Sequence, residues 1–240
     1  KGIFLRTGID YHFNDNNTIG FSGFTMYGNR NNDNTYNYIL LDQNHIQENS
    51  YSQHNLSDNE NNGYDISIDY KHEFKKKGHE LTSSVDYSSF SFNNHTDYIF
   101  DRATDDSFQK EKSDKNVTNS SIQTDYVLPI NEHSKLEAGY KSSFFEDNSL
   151  LSANKVIDDA LIPDYTDDFY FERQIHAIYM TYQNRFKSIG YQIGLRGEQT
   201  ITDWKNADSQ GENSSSDLFP SIFLTKKIND KNEIQLSATR

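Results

Sequence analysis

A strand–turn–strand unit between Ala177 and Thr202 constrains the fold of this chain more than any other stretch. Its second strand alternates apolar Tyr191, Ile193 and Leu195 with small or polar residues. Side chains of a β-strand point alternately to opposite faces, so this strand has one apolar face and one polar face. A soluble sandwich would bury the apolar face in a core, whereas a membrane barrel would turn it to lipid.

The composition is polar but rich in aromatic residues. Hydrophobic residues make up only 33% of the 240 residues, the net charge is -13, and the mean hydropathy is -0.90. A soluble chain of this polarity would have difficulty burying a single core. Yet the chain contains 16 Tyr and 16 Phe, which disordered segments lack. This combination is typical of a structure whose polar side and loops face water while its aromatic residues lie at an interface.

Several classes of protein are disfavoured by the sequence. There is no cysteine, hence no disulfide framework and no thiolate metal site. The longest apolar runs, Tyr38–Leu41 and Ala177–Met180, are far shorter than the roughly 20 residues of a transmembrane helix. The acidic balance argues against nucleic acid as a partner. The eight histidines have no paired metal-ligand spacing and no nucleophile motif is present, so we predict neither an enzyme nor a metal or cofactor.

The alternation and the turn residues predict about ten strands. Five short turns are predicted, at Asn14–Asn17, Lys75–Gly78, Asn131–Ser134, Lys187–Gly190 and Asn229–Asn232. Four long polar loops are predicted, at about Gly28–Asn62, Asp101–Lys115, Glu146–Asp168 and Asp203–Ser216. After Tyr87 the apolar parity shifts to Phe90 and Phe92, which indicates either a β-bulge or an exit from the apolar zone.

Short turns and long loops alternate strictly along the chain. Outer-membrane barrels have this pattern, with tight periplasmic turns at one rim and long extracellular loops at the other. A β-sandwich gives no reason for it. We therefore predict an all-β fold, an antiparallel up-and-down transmembrane β-barrel segment of about ten strands. The alternation already runs at Lys1 and continues to Arg240, so we expect residues 1–240 to be part of one barrel domain within a longer protein.

Charged residues on the polar faces of the strands are the candidate functional residues. In a barrel they would line the lumen, where they would pair with one another or tune what passes. These lumen-lining candidates are Arg6, Asp69, Lys71, Asp125, Lys141, Arg196 and Glu198. The acidic loop Glu146–Asp168 is expected to be solvated, with binding of divalent cations or of a basic ligand as the alternative.

The C-terminal third of the chain resembles a known family. It contains Gly194-Leu195-Arg196-Gly197-Glu198, then Leu218-Phe219-Pro220-Ser221, then a strand that runs from Ile234 to Arg240. These motifs resemble the outer-membrane β-barrel family of TonB-dependent receptor type found in Bacteroidetes-like bacteria. The resemblance covers about Tyr191–Arg240.

The resemblance implies a plugged barrel of about 22 strands, energised through TonB. The plug domain and the remaining strands are not in this chain, which would be a middle segment of the barrel. The implied location is the bacterial outer membrane, and the implied partners are outer-membrane lipids, the TonB complex through parts absent here, a surface lipoprotein and an unknown nutrient. The predicted function is the wall and loops of an uptake receptor.

Two other functions stay open at this point. One is a soluble all-β binding or adhesion module, which would pack Ile66, Ile193 and Leu195 against a second layer of protein. The other is a passive porin, which differs from a receptor by having no plug.

Overall fold

The computed structural model describes residues 1–102, 107–157, 160–229 and 231–240, and these residues form ten β-strands. The strands are β1 (Gly2–Asn14), β2 (Asn17–Leu41), β3 (Gln47–Glu73), β4 (Glu80–Arg102), β5 (Ser107–Pro129), β6 (Ser134–Ile157), β7 (Ala160–Phe186), β8 (Ile189–Lys205), β9 (Gln210–Lys227) and β10 (Glu233–Thr239). Within the described ranges, no helix has the length and apolar character needed to cross a membrane.

The ten strands form a single antiparallel sheet in which each strand pairs with its neighbours in sequence. The spatial order is β1 to β10, and the sheet is open, with β1 at one edge and β10 at the other. Because each connection is a hairpin, the topology is up-and-down throughout. The predicted fold class, an antiparallel all-β barrel segment of ten strands, is confirmed.

The register divides the side chains between two faces of the sheet. Directly paired residues share a face, and the first face, here called the apolar face, is continuous across β1 to β9. Its members include Ile9, Phe21, Ile68, Val85, Ile122, Tyr140, Ile178, Leu195 and Ile222. The opposite face, here called the polar face, carries the charged residues.

No second layer covers the apolar face among the described residues. Ile66 is 49% exposed and Leu195 is 51% exposed, although both lie in well-paired central strands. The soluble-module alternative required these side chains to pack against another sheet or a helix. The described residues contain no such layer, so the structure does not support that alternative.

The apolar face has the height of a membrane crossing. On β3, Tyr64 and Tyr70 bracket Ile66 and Ile68, and Asn62 follows at the next position on that face. The stretch from Tyr64 to Tyr70 has seven residues, whereas on β1 the same face runs from Ile3 to Phe13, which is eleven residues, and a tilted strand needs roughly nine to eleven to cross the hydrocarbon. Aromatic residues at the ends of an apolar band are typical of outer-membrane barrels.

The segments predicted as long loops are strands rather than irregular chain. β2 and β3 pair from the apolar band up to Leu41 and Gln47, with one register shift between Leu40 and Leu41, so the connection at this end is only Asp42–Ile46. The same holds for the predicted loop at 203–216, where only four residues separate β8 from β9. The described parts of the other two loops are also strand, and Asp158 and Asp159 lie outside the described residues.

These extensions escaped prediction because Asn, Ser, Asp and other polar residues dominate them, and their apolar residues do not alternate regularly enough to indicate a strand. The backbone ladder itself needs no apolar residue, and here polar side chains bond across it. Asn29 donates to Asp58 over 3.2 Å, and Ser57 and Thr96 share a 3.0 Å hydrogen bond. The strands therefore continue well beyond the apolar band.

Several local predictions also differ from the structure. The turn between β1 and β2 has two residues instead of the four predicted at Asn14–Asn17, and the turn between β3 and β4 has six instead of four. The turn between β7 and β8 has two residues instead of four, with Lys187 at a φ of 54°. No bulge occurs at Phe90 and Phe92, since the register of β4 is unbroken on both sides. Both rings lie on the polar face, while serines occupy the apolar side, which agrees with the alternative of an exit from the apolar zone. In the last predicted turn, Asp230 lies outside the described residues.

Candidate functional site on the polar face

Six of the seven candidate lumen residues lie in two adjacent rows across the polar face, where a row is a series of direct cross-strand partners. The first row contains Lys71, Asp125 and Arg196. The second row contains Asp69, Lys141 and Glu198. The alternation within each strand predicted that these residues lie on the polar face. Their positions in the same two rows follow only from the register between neighbouring strands.

Asp125 is held by a tyrosine from two strands away. The hydroxyl of Tyr179 on β7 donates a 2.5 Å hydrogen bond to Asp125 on β5, and Gln123 donates a second one over 2.6 Å. The Tyr179 ring passes over β6 at Gly139, which is the direct cross-strand partner of both Asp125 and Tyr179. A Cβ there would lie 2.6 Å from the ring and 2.5 Å from the carboxylate. Glycine is therefore required for this contact.

Arg196 extends the same network to β8. Its guanidinium carbon lies 5.7 Å from the centre of the Tyr179 ring, within cation–π range. Its Nη2 and Nε donate to the same carboxylate oxygen of Glu198 at 2.7 and 2.9 Å. Asp125, Tyr179, Arg196 and Glu198 thus form one charged network over four strands. Sequence reasoning missed Tyr179 because it lies within the apolar run Ala177–Met180, although its odd position places it on the polar face.

The remaining candidates are placed more locally. Lys71 pairs with Glu73 at 2.7 Å and with Glu80 at 3.2 Å, close to the short turn that joins β3 to β4. Asp69 accepts a 3.2 Å hydrogen bond from Ser67 on the same strand. Arg6 lies apart from the two rows, with its guanidinium 5.5 Å from the ring of Phe24.

Lys141 lines a groove of about 310 Å³ on the polar face. The wall on β6 and β7 carries Lys141, Phe145 and Arg173, and the guanidinium of Arg173 lies 5.6 Å from the Phe145 ring. Neither cation forms an ion pair with a described residue within 4.0 Å. Opposite them are Asp65 and Asp86, and Asp86 accepts hydrogen bonds from Ser67 and Ser121. The floor between the two walls consists of small polar residues.

Aromatic residues continue from this groove into the strand extensions. Phe145 meets Phe171 edge to face at 5.9 Å, and Phe171 stacks with Phe169 at 6.4 Å. Trp204 is the direct partner of Phe171 on β8, and its ring covers Gly211 on β9. This aromatic path on the polar face was not predicted. The signal that could have indicated it is the regular alternation along β7, which places the odd-numbered residues from Phe169 to Tyr179 on one face.

The polar face is suited to binding a charged or polar partner. Asp65 and Asp86 lie on the β3 and β4 side of the groove, whereas its two cations lie on β6 and β7. No group of three or more potential metal ligands is close enough to hold an ion within the described ranges. Fixed charges of both signs beside aromatic rings can position a polar ligand or a protein segment.

Comparison with known proteins agrees with this architecture. The sequence model of the outer membrane protein beta-barrel family matches residues 72–240, which is most of the chain. The chain belongs to this family. The family match extends well upstream of the motifs at Gly194–Arg240 and includes both rows of the polar face from Asp125 onward. No curated protein sequence matches the chain at a significant level.

Solved structures of outer-membrane receptors align with this family member at very low sequence identity. The siderophore receptor PiuA from Acinetobacter baumannii aligns with 95% of this chain and 45% of its own, at 9% identity and a TM-score of 0.50. The ferric preacinetobactin receptor BauA from the same species aligns with 95% of this chain and 43% of its own, at 9% identity and a TM-score of 0.48.

The alcaligin receptor FauA from Bordetella pertussis aligns with 95% of this chain and 39% of its own, at 12% identity and a TM-score of 0.48. The chain therefore spans less than half the length of each of these receptors. The predicted family and the predicted location are confirmed: this is an outer-membrane β-barrel protein of a bacterium.

Proposed function

We propose that residues 1–240 form part of the wall of an outer-membrane receptor that imports a nutrient, with the polar face turned to the lumen. The observation that carries this proposal is the division of one unlayered sheet into an apolar face and a charged face. Hydrocarbon accepts the first, and only a wet interior accepts the second. Arg6, Asp69, Lys71, Asp125, Lys141, Arg196 and Glu198 would then line the lumen.

The two edges of the sheet support further strands in the whole protein. β1 and β10 each have one neighbour, so one side of each strand presents unpaired backbone groups. Unpaired N–H and C=O groups are not tolerated in hydrocarbon, and barrels satisfy them by closing. We therefore place residues 1–240 within one larger barrel domain whose other strands, and a plug domain, lie outside this chain. TonB and a surface lipoprotein are the partners that such a receptor would use.

The groove around Lys141 supports passage or capture of a charged solute. Among the described residues its two cations form no ion pair, although the chain as a whole carries a net charge of -13. Cations left unpaired in so acidic a protein are available to an anionic group. The aromatic path through Phe171 leads from this groove toward the end of the strand extensions, where a ligand would arrive.

A growth and uptake experiment tests the receptor function. A strain that lacks the parent protein would be grown with single nutrients made limiting and complemented with the wild type or with Lys141→Gln/Arg173→Gln. We expect the wild type to restore uptake of one nutrient and the double variant to reduce that uptake at least tenfold. Lys187→Gln, which removes a cation from a turn, is the matched control and should behave as the wild type.

Collapse of the proton gradient separates a receptor from a porin. Uptake through an energised receptor should stop, whereas diffusion through a porin should continue at the same rate. Uptake that persists without the gradient, or a double variant that takes up the nutrient as fast as Lys187→Gln, would contradict the proposal.

A further inference from the structure

A groove of about 600 Å³ interrupts the apolar face between β5 and β9. Two small residues cause it: Ala138 is paired with Met180, and Gly197 is paired with Ile178. Tyr126, Tyr140, Leu195 and Leu218 form its sides, and the side chains that line it are almost entirely apolar. The apolar walls of this groove are open to the surroundings, and on this face of the sheet the surroundings are the hydrocarbon of the membrane.

A polar cluster lies directly above the groove on the same face. His176 and Gln199 are direct partners and occupy the next outward positions after Ile178 and Gly197. The Nδ1 of His176 lies 2.7 Å from the hydroxyl of Ser142 and 3.4 Å from that of Tyr140, which also lines the groove. Neither His176 Nε2 nor the Gln199 amide has a hydrogen-bond partner among the described residues.

This cluster is bordered by both apolar and polar groups, since Ser216 is the direct partner of Gln199 on β9. Phe144 contacts the His176 ring edge to face at 5.6 Å, and Ile201 is the next residue on this face after Gln199. Polar atoms that face hydrocarbon without a partner are unfavourable, because no water is present to satisfy their hydrogen bonds. When Ser142 donates to Nδ1, the Nε2 of His176 carries the proton and can donate. The cluster therefore offers hydrogen-bond donors to an acceptor that comes from the membrane.

The charges above the cluster select the acceptor. Glu146, Glu172 and Asp203 are successive cross-strand partners on the same face, one row beyond Gln174 and Ile201. Three carboxylates in a line repel a phosphate or any other anionic head group. A neutral ester or amide carbonyl has no such conflict and accepts hydrogen bonds from imidazole and amide N–H groups.

We propose that the apolar groove between Ala138 and Gly197, together with His176 and Gln199, forms a binding site for one acyl chain of an outer-membrane lipid. The chain lies in the groove, and its ester or amide carbonyl accepts hydrogen bonds from His176 Nε2 and from the Gln199 amide. The site lies on the outer surface of the wall, away from the polar face, so it does not depend on the receptor function proposed above.

Native mass spectrometry of the full-length parent protein, purified from its own membrane in a mild detergent, tests this site. We expect one lipid to remain bound to the wild type after repeated exchange into fresh detergent. Gly197→Leu fills the groove, and it should be tolerated because a Cβ at this position meets only Leu218 and Ile178 at 3.5 and 3.9 Å. We expect this variant to lower lipid occupancy at least tenfold.

Gln199→Leu removes one donor without introducing polarity and should lower occupancy to a smaller extent, about threefold to tenfold. The matched control is Gly23→Leu, which makes the same change on the apolar face of β2, where a Cβ meets only one backbone oxygen at 3.7 Å. Folding of each variant would be checked by the heat-dependent shift of the barrel in gel electrophoresis.

Three results would overturn the site: a wild type with no retained lipid, equal losses in Gly23→Leu and Gly197→Leu, or a dimer in the wild type that only Gly197→Leu dissociates. The last result would assign the groove to a second copy of the protein. None of these measurements involves uptake, so failure of the lipid site and failure of the receptor function are distinguishable.

Discussion

Tyr179 donates its hydroxyl hydrogen bond to Asp125 although a complete strand, β6, lies between them. The contact is made over the backbone of Gly139, which is the direct partner of both residues. A side chain that bridges three strands fixes their relative positions more firmly than pairwise ladders alone. The polar face of the sheet is therefore tied together at the level of the charged rows.

Substitution of the bridging glycine should loosen this tie. Gly139→Ala places a methyl group 2.5 Å from Asp125 and 2.6 Å from the Tyr179 ring, so the ring must move and its hydrogen bond is lost. We expect the free energy of unfolding to fall by about 1–3 kcal/mol, the usual range for overpacking. Urea unfolding of the full-length protein in lipid vesicles would measure it. Gly23→Ala, whose Cβ meets only a backbone oxygen at 3.7 Å, should change little.

The two faces of β8 should respond differently to the same charge. Ile193 lies on the apolar face and is 51% exposed, whereas its neighbour Gln192 lies on the polar face. Ile193→Lys should destabilise the inserted barrel by about 2–4 kcal/mol, since it puts an ammonium group into hydrocarbon. Gln192→Lys should have a small effect. Equal effects of the two substitutions on unfolding in vesicles would contradict the assignment of the faces.

The ion pair between Arg196 and Glu198 should be weak and sensitive to salt. The side chains are 35% and 21% exposed on the polar face, so water screens them in part. A double-mutant cycle with Arg196→Gln and Glu198→Gln should give a coupling energy of about 0.5–1 kcal/mol at low salt. The coupling should shrink in 1 M salt. A coupling that does not change with salt would show that the pair is shielded from water.

The hairpin tip between β2 and β3 should open in acid. The Asp42 carboxylate accepts hydrogen bonds of 2.8 Å from the backbone N–H groups of Ile46 and Asn44. These hydrogen bonds lower the pKa of Asp42 below its ordinary value of 3.8. Its contribution to stability is therefore present above pH 3.8 and is lost as the pH falls through the lower folded pKa.

Hydrogen exchange at the amide of Ile46 measures this opening. Protection corrected for intrinsic rates should be constant above pH 3.8 and decrease below it. Asp42→Asn keeps an acceptor but cannot titrate, so its corrected protection should not depend on pH in this range. A wild type that shows the same flat profile as Asp42→Asn would contradict the role of the carboxylate.

The sequence predicted those parts of the fold that carry an apolar period. Tyr64, Ile66, Ile68 and Tyr70 alternate with polar residues, so strand, face and approximate bounds follow from the side chains alone. The strand extensions have no such period. Their polar residues, such as Asn29 and Asp58, form hydrogen bonds across neighbouring strands, but a run of such residues resembles the sequence of a loop. Pairing between two polar strands depends on the neighbouring strand rather than on the local pattern.

The candidate site was predictable by face but not by register. Parity indicated that Asp125 and Arg196 are on polar faces, yet it gave no information about which residues share a row. The register depends on the length of each short turn, and at Lys187 the turn has two residues where four were predicted. Tyr179 joins the two charges only because that register puts it beside Gly139.

The height of the wall has a consequence for how the molecule meets its surroundings. β3 and β7 have 27 residues each, and at about 3.3 Å per residue they are roughly three times as long as a membrane crossing. A hydrogen-bonded sheet of this height extends beyond the lipid head groups, so its outer edge is formed by paired strands instead of long loops. Solutes, phages and antibodies that approach the cell would encounter stiff sheet long before they reach the bilayer.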